Sequence, residues 1–287
     1  MIVAVVGPTC VGKTRMSIEL AKKYNAIVIN CDAMQVYKGL DIGTAKVSED
    51  EKYGVPHYLF DIKDVVEEYS VYDYQKDARR LILENKDKNI IFVGGTGLYL
   101  KAVLYDYKFT EENNTKKDFS CYTNDELYSM VRKIDPDTLI HPNNRVRLER
   151  FLNKDNHDNI KSQLLFPHIV VGLTTDRDEL YQKIDDRVDK MVKVGLLDEA
   201  RRYYDLNIKS KPLLTGIGYK ELYDYFDNKC SYEDAILNIK KNSRHYAKRQ
   251  YTFFRNQFEV KWFDVDYDNF DNTVNDVISY IEEESVK

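Results

Sequence analysis

The sequence lacks the cysteine and histidine patterns that mark metal sites and disulfide frameworks. It has four cysteines and five histidines in 287 residues, and no two cysteines have the CxxC spacing of a zinc or redox motif. The histidines also lack metal-ligand spacing, so we interpret them as structural or surface residues. Scattered cysteines are typical of a reducing compartment, and we expect a cytoplasmic protein.

Long hydrophobic runs are also missing. The first apolar run, Ile2–Val6, breaks at Gly7 and is too short for a signal-peptide core or a membrane span. We therefore expect no membrane association and interpret this run as a buried strand. The net charge of −5 provides no general attraction for polyanions, so a nucleic-acid partner would need a local basic surface.

A phosphate-binding motif follows the first apolar run. It has the GxxxxGK[ST] spacing between a predicted strand and a predicted helix, the context in which this motif binds phosphates. Its residues are Gly7, Pro8, Thr9, Cys10, Val11, Gly12, Lys13 and Thr14. The glycines let backbone N–H groups point at phosphate oxygens, and the lysine adds a positive charge. The hydroxyl of Thr14 would bind Mg²⁺.

Short apolar runs alternate with helical patterns in the first part of the chain. The predicted strands are Ile2–Val6, Ala26–Asn30, His57–Asp61, Asn89–Val93 and His168–Leu173. Predicted helices at Thr14–Tyr24 and Tyr72–Lys88 lie between them. This alternation predicts an α/β fold, a P-loop NTPase-like parallel sheet with helices on both sides.

The remaining chain is mostly helical. Residues 106–165 predict a small helical insertion that interrupts a core built from 1–105 and 166–287. Beyond the insertion, the apolar spacing in Asp178–Asp205 is helical, and Tyr232–Asn256 reads as a long helix rich in lysine and arginine. A last strand and a last helix are predicted at Val260–Asp264 and Thr273–Glu284.

One part of an ATPase site is absent. P-loop ATPases hold Mg²⁺ with an acidic residue that ends a later apolar strand. The candidate strand here runs into Gly94-Gly95-Thr96-Gly97, without a carboxylate. The missing carboxylate weakens the interpretation of the chain as a motor or switch ATPase. The same segment places Thr96 at the carboxyl edge of the sheet, where ligands bind in open α/β folds.

Asp32 follows the second predicted strand. We expect this strand to lie adjacent to the P-loop strand, so that Asp32 faces the same crevice as a general base or metal ligand. A helix cap or a surface loop is an equally good explanation of its position. Nearby Gln35 carries an amide that suits the edge of an adenine.

A basic, aromatic helix near the C-terminus could bind RNA. Arg244, Lys248 and Arg249 belong to it, and tyrosine and phenylalanine residues follow. Taken alone, a solvated charged helix is the simpler interpretation. Arg147 and Arg150, in the insertion, favour a polyanionic partner.

These motifs together resemble the tRNA dimethylallyltransferase family, also called isopentenyl-diphosphate:tRNA transferases. The matching segments span nearly the whole chain, and those at 32–46 and 94–102 are far more specific than a P-loop alone. They are GPTCVGKT at 7–14, DAMQVYKGLDIGTAK at 32–46, GVPHYLFDI at 54–62, GGTGLYLKA at 94–102, HPNN and RVRLER within 141–150, GIGYKEL at 216–222 and RHYAKRQYTFFR at 244–255.

The resemblance implies a reaction. The P-loop would hold dimethylallyl diphosphate with Mg²⁺, and the acceptor would be an adenosine beside the anticodon of tRNA, flipped out of its stack. Asp32 would take the proton of the exocyclic amine, while Lys13 and Thr96 would stabilise the leaving diphosphate. The implied tRNA-binding residues are Asp32, Ala33, Met34, Gln35, Thr96, Arg147, Arg150, Gly216, Gly218, Tyr219, Lys220, Arg244, Lys248 and Arg249. We expect a monomer that binds the anticodon stem-loop.

The chain departs from the family pattern at three places. Ala33 stands where serine is usual, Asn144 replaces a common aspartate, and the stretch before Tyr122 is short. These departures favour a diverged paralogue, and they leave three alternatives open. The alternatives are an adenylate prenyl transferase acting on free nucleotides, a small-molecule kinase, and a tRNA-binding protein without catalysis.

Overall fold

The computed structural model describes residues 1–109, 117–138, 140–153 and 163–286. The chain divides into two compact units, Met1–Tyr105 with Leu164–Lys287, and Asp106–Gln163. The first unit carries the P-loop and the sheet, and the second corresponds to the region expected as an insertion. His157, interpreted above as a structural or surface residue, lies outside the described residues.

One six-stranded sheet forms the centre of the first unit. Its strands are β1 Ile2–Val6, β2 Ala26–Asn30, β3 His57–Tyr58, β4 Asn89–Val93, β5 Ile169–Thr174 and β6 Lys261–Asp264. Their order across the sheet is β3-β2-β4-β1-β5-β6, and every neighbouring pair is parallel. The predicted α/β fold with a parallel sheet is therefore confirmed.

Helices cover the sheet and form most of the remaining chain. They are α1 Lys13–Tyr24, α2 Val71–Glu84, α3 Gly97–Leu104, α4 Asn124–Ile134, α5 Arg145–Leu152, α6 Arg177–Lys193, α7 Leu196–Asp205, α8 Lys211–Thr215, α9 Tyr219–Phe226, α10 Tyr232–Gln257 and α11 Phe270–Ser285. Within the described parts of the chain, no helix combines the length and the apolar character needed to cross a membrane.

Two differences from the sequence prediction have a backbone cause. Strand β3 stops at Tyr58, because Leu59 and Asp61 have φ angles of 63° and 52°, in the left-handed region. The helical pattern of Asp178–Asp205 is divided between α6 and α7, because Gly195 has a φ of 111°. Apolar spacing did not reveal either interruption, since neither changes which residues are hydrophobic.

Alternate residues of the strands serve two different cores. On β1, Val3 and Val5 pack with residues of α1, α6 and α11, whereas Ala4 and Val6 pack with residues of α2, α3 and α10. This is the two-residue period of a strand covered on both faces. The sheet is thereby held as a rigid layer, and the loops at the carboxyl ends of its strands are carried on a fixed support.

A third core lies beside the sheet. It packs the segment after β2, through Val36, Tyr37 and Leu40, against buried residues of α6–α10 such as Leu196 and Tyr219. This core holds residues 34–46 at the end of the sheet where the P-loop also lies. The second unit has its own small core, in which Leu127 and Val131 of α4 pack with Leu148 and Leu152 of α5.

Candidate active site

The P-loop connects β1 to the start of α1. Its backbone enters the left-handed region at Gly7, Cys10 and Gly12, where φ is 135°, 71° and 86°. A Cβ on Gly7 would lie 2.5 Å from the carbonyl oxygen of Leu173, so the loop packs tightly on β5. Helix α1 begins at Lys13, and its N-terminal N–H groups favour an anion there.

Lys13 is half-buried in the P-loop and lies beside a second cation. Its Nζ donates to the carbonyl oxygen of Pro8 at 2.5 Å. The pKa of Lys13 is lowered to about 8, mainly by burial and also by the nearby Arg187 guanidinium, while Asp32 and Cys10 act in the opposite direction. An anion bound at this position would relieve both unfavourable effects, which is the behaviour expected of a diphosphate site.

Arg187 reaches the P-loop from α6. Its guanidinium donates to the hydroxyl of Thr9 at 2.7 Å, and it lies 3.6 Å from the Cys10 Sγ. A second nitrogen of the same group is 3.4 Å from the carbonyl oxygen of Thr44. The planar guanidinium suits bidentate binding of phosphate oxygens. No sequence motif marks Arg187, and sequence reasoning missed it.

Asp32 and Thr96 meet at the carboxyl edge of the sheet. The expectation that β2 lies adjacent to the P-loop strand is wrong, because β4 lies between β1 and β2. The Asp32 turn and the loop after β4 still meet, because Gly94 directly follows β4. A Cβ on Gly94 would lie 2.2 Å from the backbone of Cys31. The Thr96 N–H donates to the Cys31 carbonyl oxygen at 3.0 Å, and the Ala33 N–H donates to the Thr96 hydroxyl at 3.1 Å.

The carboxylate of Asp32 is half-buried and fixed by its own turn. Its Oδ1 accepts from the Met34 N–H at 2.9 Å, and the Asp32 N–H donates to the side chain of Asn30 at 2.9 Å. In the described part of the chain, no hydrogen bond reaches its Oδ2. That oxygen is available to accept a proton from a substrate that enters the cavity.

Gln250 of α10 joins the P-loop to the β4 end. Its side chain is 4% exposed, its Oε1 accepts from the Thr9 N–H at 2.9 Å, and its Nε2 donates to the Gly95 carbonyl oxygen at 3.2 Å. The amide of Gln250 thus fixes the distance between the P-loop and the loop that follows β4. Gln250 belongs to the segment RHYAKRQYTFFR at 244–255 that carries part of the family resemblance, but its contact with the P-loop was not predicted.

Gln35 lies on the wall of the same cavity. Its Nε2 donates to the carbonyl oxygens of Thr44 and Ala45, at 3.0 and 3.4 Å. This fixes the orientation of the amide through the backbone of the 44–45 loop. Its prediction as a base-reading residue is not tested by the structure.

The predicted tRNA-binding residues are divided between the two units. In the first, Gly216, Gly218 and Arg249 line the cavity, as do Ala33 and Met34. Lys248 is exposed, whereas Lys220 is partly buried and lies 3.4 Å from Glu221. In the second, Arg147 and Arg150 are exposed on α5. Their contacts with tRNA stay predictions.

Two predicted tRNA-binding residues are engaged within the protein. Tyr219 is fully buried, and its hydroxyl donates to Glu199 at 2.5 Å. Arg244 forms an ion pair with Asp185 at 2.6 Å, which ties α10 to α6. Direct contact with tRNA is therefore not supported for Tyr219, because its side chain has no surface left to offer. For Arg244, such a contact would compete with the ion pair.

A cavity of about 920 Å³ brings these groups together. It is lined by the P-loop, the Asp32 turn, the Gly94–Thr96 loop, Arg187 and part of α10. Apolar side chains such as Ile184, Val188 and Met191 line it as well. A cavity with cations, the Asp32 carboxylate and apolar walls can hold a diphosphate ester of a small hydrocarbon together with a flat base.

The donor atoms in the cavity fit Mg²⁺ in one particular way. No cluster of three or more histidine, cysteine, aspartate or glutamate side chains occurs among the described residues, so a complete protein cage is not seen there. The cavity does offer the Thr14 hydroxyl and the Asp32 carboxylate. Mg²⁺ usually takes only one or two protein oxygens, together with phosphate oxygens and water, and this donor set suits that mode.

The family model described as IPP transferase matches residues 35–257, which is more than half of the chain. The chain belongs to the IPP transferase family. Curated relatives agree with this membership. A tRNA dimethylallyltransferase of Anoxybacillus flavithermus is 45% identical over 98% of this chain and 96% of its own length. The Bacillus subtilis tRNA dimethylallyltransferase is 46% identical over 92% of this chain and 90% of its own length.

Solved structures of the family share the fold. A full-length tRNA isopentenylpyrophosphate transferase from Bacillus halodurans has a TM-score of 0.76 at 43% identity, covering 99% of this chain and 97% of its own. A eukaryotic dimethylallyltransferase acting on tRNA has a TM-score of 0.82 at 29% identity, covering 99% of this chain and 79% of its own. These likenesses support tRNA prenylation over the adenylate prenyl transferase and kinase alternatives.

Proposed function

We propose that this protein transfers a dimethylallyl group from dimethylallyl diphosphate to the exocyclic amine of an adenosine next to the anticodon in tRNA, releasing diphosphate. The observation that carries the proposal is the convergence of the P-loop, Arg187 and Asp32 on one cavity. Groups that can bind the leaving diphosphate and a carboxylate that can take the amine proton line the same cavity. Family membership supports the same reaction.

The step joins the adenosine N6 to C1 of the dimethylallyl group and breaks the bond between C1 and the diphosphate oxygen. The electron pair of the broken bond leaves with the diphosphate. The proton of N6 passes to the free oxygen of Asp32, which makes the weakly nucleophilic amine more reactive as the new bond forms. The hydrogen bond from Met34 holds the other oxygen and so fixes the direction of the carboxylate.

Charge that accumulates on the leaving diphosphate is met by Lys13, Arg187 and the N–H groups at the start of α1. These donors are already in place before reaction, because the P-loop is held by Gln250 and packs on β5. Thr96 lies between these diphosphate-binding groups and Asp32. Mg²⁺, bound through the Thr14 hydroxyl and diphosphate oxygens, would supply further neutralising charge.

The acceptor side of the cavity is formed by Gln35 and its neighbours. We infer that Ala33, Met34 and Gln35 contact the target adenosine and the bases beside it. The exposed Arg147, Arg150, Lys248 and Arg249 would hold the phosphates of the anticodon stem-loop. A cytoplasmic location and a monomeric state are part of the same proposal.

Transfer of label tests this function directly. The full chain is incubated with Mg²⁺, radiolabelled dimethylallyl diphosphate and unmodified tRNA. The nucleosides of the tRNA are then identified by mass spectrometry. We expect one labelled, prenylated adenosine per reactive tRNA. No label in RNA, under conditions in which the Bacillus subtilis relative is active, would overturn the proposal. Faster transfer to free AMP than to tRNA would favour a nucleotide acceptor instead.

The reaction should weaken at alkaline pH because of Lys13. With the pKa lowered to about 8 by burial, its ammonium loses the proton as the pH rises through about 8, and the neutral amine no longer attracts the diphosphate. We expect kcat/KM for dimethylallyl diphosphate, measured at saturating tRNA, to fall by about tenfold per pH unit above that point. The profile is measured by initial rates across neutral and alkaline pH.

Lys13→Arg provides the control for this profile, because a guanidinium stays charged throughout the range. Its activity at neutral pH should be lower, but the alkaline fall should move to higher pH. An alkaline fall that is unchanged in Lys13→Arg would mean that another group titrates.

A further inference from the structure

Glu199 is a buried carboxylate whose role lies outside the reaction described above. It belongs to the first turn of α7 and is 9% exposed. Buried glutamates are uncommon unless their oxygens are paired, because an ionised carboxylate is costly to remove from water. The partners of Glu199 are therefore informative about what it does.

Its two oxygens hold the backbone of one loop. Oε2 accepts from the N–H groups of Asp41 and Ile42, at 3.0 and 2.8 Å, and Oε1 accepts from the N–H of Gly43 at 3.0 Å. The hydroxyl of Tyr219 completes the set by donating to Oε1 at 2.5 Å. Three successive backbone donors and one phenol thus converge on a single side chain from a helix far away in sequence.

The loop is packed as closely as it is bonded. A Cβ on Gly43 would lie 2.7 Å from the ring of Tyr219, so only glycine allows this approach. On the other side, the Nζ of Lys46 donates to the carbonyl oxygen of Tyr37 at 2.7 Å and forms ion pairs with Asp41 and Asp61. Residues 41–46 are therefore anchored at both ends.

The anchored loop carries the acceptors that orient Gln35. The carbonyl oxygens of Thr44 and Ala45 receive its Nε2, at 3.0 and 3.4 Å. Thr44 follows Gly43 directly, so a movement of the 41–43 backbone would move these carbonyls. By contrast, Arg187 contacts Thr44 only at 3.4 Å and is held more firmly by Thr9 at 2.7 Å. The loop thus affects the acceptor side of the cavity more than the diphosphate grip.

We propose that Glu199 is a positioning residue for acceptor recognition, which acts by holding the 41–43 backbone so that the Thr44 and Ala45 carbonyls fix the amide of Gln35. This inference rests on the proposed function. Glutamine cannot replace the carboxylate, because its amide nitrogen would face two of the four donors that Glu199 now accepts. Donors left without an acceptor would turn to water, and the loop would loosen.

Glu199→Gln tests the proposal through a difference between the two substrates. We expect KM for tRNA to rise about tenfold, because a 1 Å misplacement of a positioning group can cost about 10²-fold and a loosened loop should shift Gln35 by less than that. KM for dimethylallyl diphosphate should change by less than about threefold, because Thr9 still holds Arg187. Stem-loops with a changed base beside the target adenosine should be discriminated less well than by the unaltered protein.

Amide hydrogen exchange gives a second measurement that does not depend on activity. In Glu199→Gln, the peptide covering residues 40–46 should lose protection, while peptides from β1 and β4 keep theirs. Tyr219→Phe removes one donor of the four and leaves the three backbone bonds, so its effects on KM and exchange should be clearly smaller. Glu199→Asp keeps both oxygens on a shorter chain and should restore part of the tRNA affinity.

Asn85→Asp is the matched control, because it also exchanges an amide and a carboxylate at a buried position, 9% exposed. Asn85 does not line the cavity, and its Nδ2 donates to the Leu81 carbonyl oxygen at the end of α2, not to the 41–43 loop. It should lower the melting temperature without reducing base discrimination. An equal rise of KM for tRNA in both variants, or unchanged discrimination in Glu199→Gln, would overturn the inference. If the unaltered protein does not prenylate tRNA, the proposed function itself fails.

Discussion

Asp32→Asn should lower kcat for prenyl transfer by about 10²–10⁴-fold, the range found when a general base is removed. Asparagine has the same shape and can still accept the Met34 N–H, so the turn after β2 is kept. What is lost is the ability of the side chain to take the proton of the adenosine amine. Single-turnover rates with saturating tRNA and dimethylallyl diphosphate measure this step directly.

The binding of inorganic diphosphate separates chemistry from folding in this variant. Its Kd should stay within about threefold of the unaltered protein, because Lys13 and Arg187 are untouched. Asp276→Asn, at an exposed position on α11, is the matched control and should leave kcat unchanged. A loss of kcat below tenfold in Asp32→Asn would show that another group accepts the proton.

Lys13→Met should reduce kcat/KM for dimethylallyl diphosphate by about 10²–10³-fold, as when one preorganised donor to a developing anion is removed. Methionine keeps much of the packing volume and lacks the charge. The remaining cation, Arg187, still holds part of the diphosphate, so activity should be reduced without being abolished. Initial rates at varied dimethylallyl diphosphate measure the change.

The loss of activity in Lys13→Met should not be accompanied by a loss of stability. At pH 7, below the folded pKa of about 8, lysine is charged in both the folded and the unfolded chain, and burial penalises that charge only in the folded chain. We therefore expect a melting temperature at pH 7 no lower than that of the unaltered protein. Lys22→Met, at an exposed position on α1, should change neither property. A Lys13→Met variant that unfolds more easily would show that the charge supports the loop.

Local patterns in the sequence were enough for most of the fold. The apolar runs predicted β1, β2 and β4 with their observed bounds, because strands buried on both faces need continuous apolar side chains. The P-loop was readable for a similar reason, since its glycine and lysine spacing is a property of one short segment. A residue with left-handed backbone angles inside an apolar run, such as Leu59, has no comparable sequence signature. The end of β3 was therefore not predicted.

We could thus predict the P-loop, the alternation of strands and helices, and Asp32 as a candidate base from the residues alone. The folded chain was needed to see that β4 separates the P-loop strand from the Asp32 strand, and that Gly94 lets the Asp32 turn meet the loop after β4. It also brought Arg187, Gln250 and Glu199 from distant helices to the cavity and its loops. Contacts of this kind join residues more than 150 positions apart, and no local spacing can encode them.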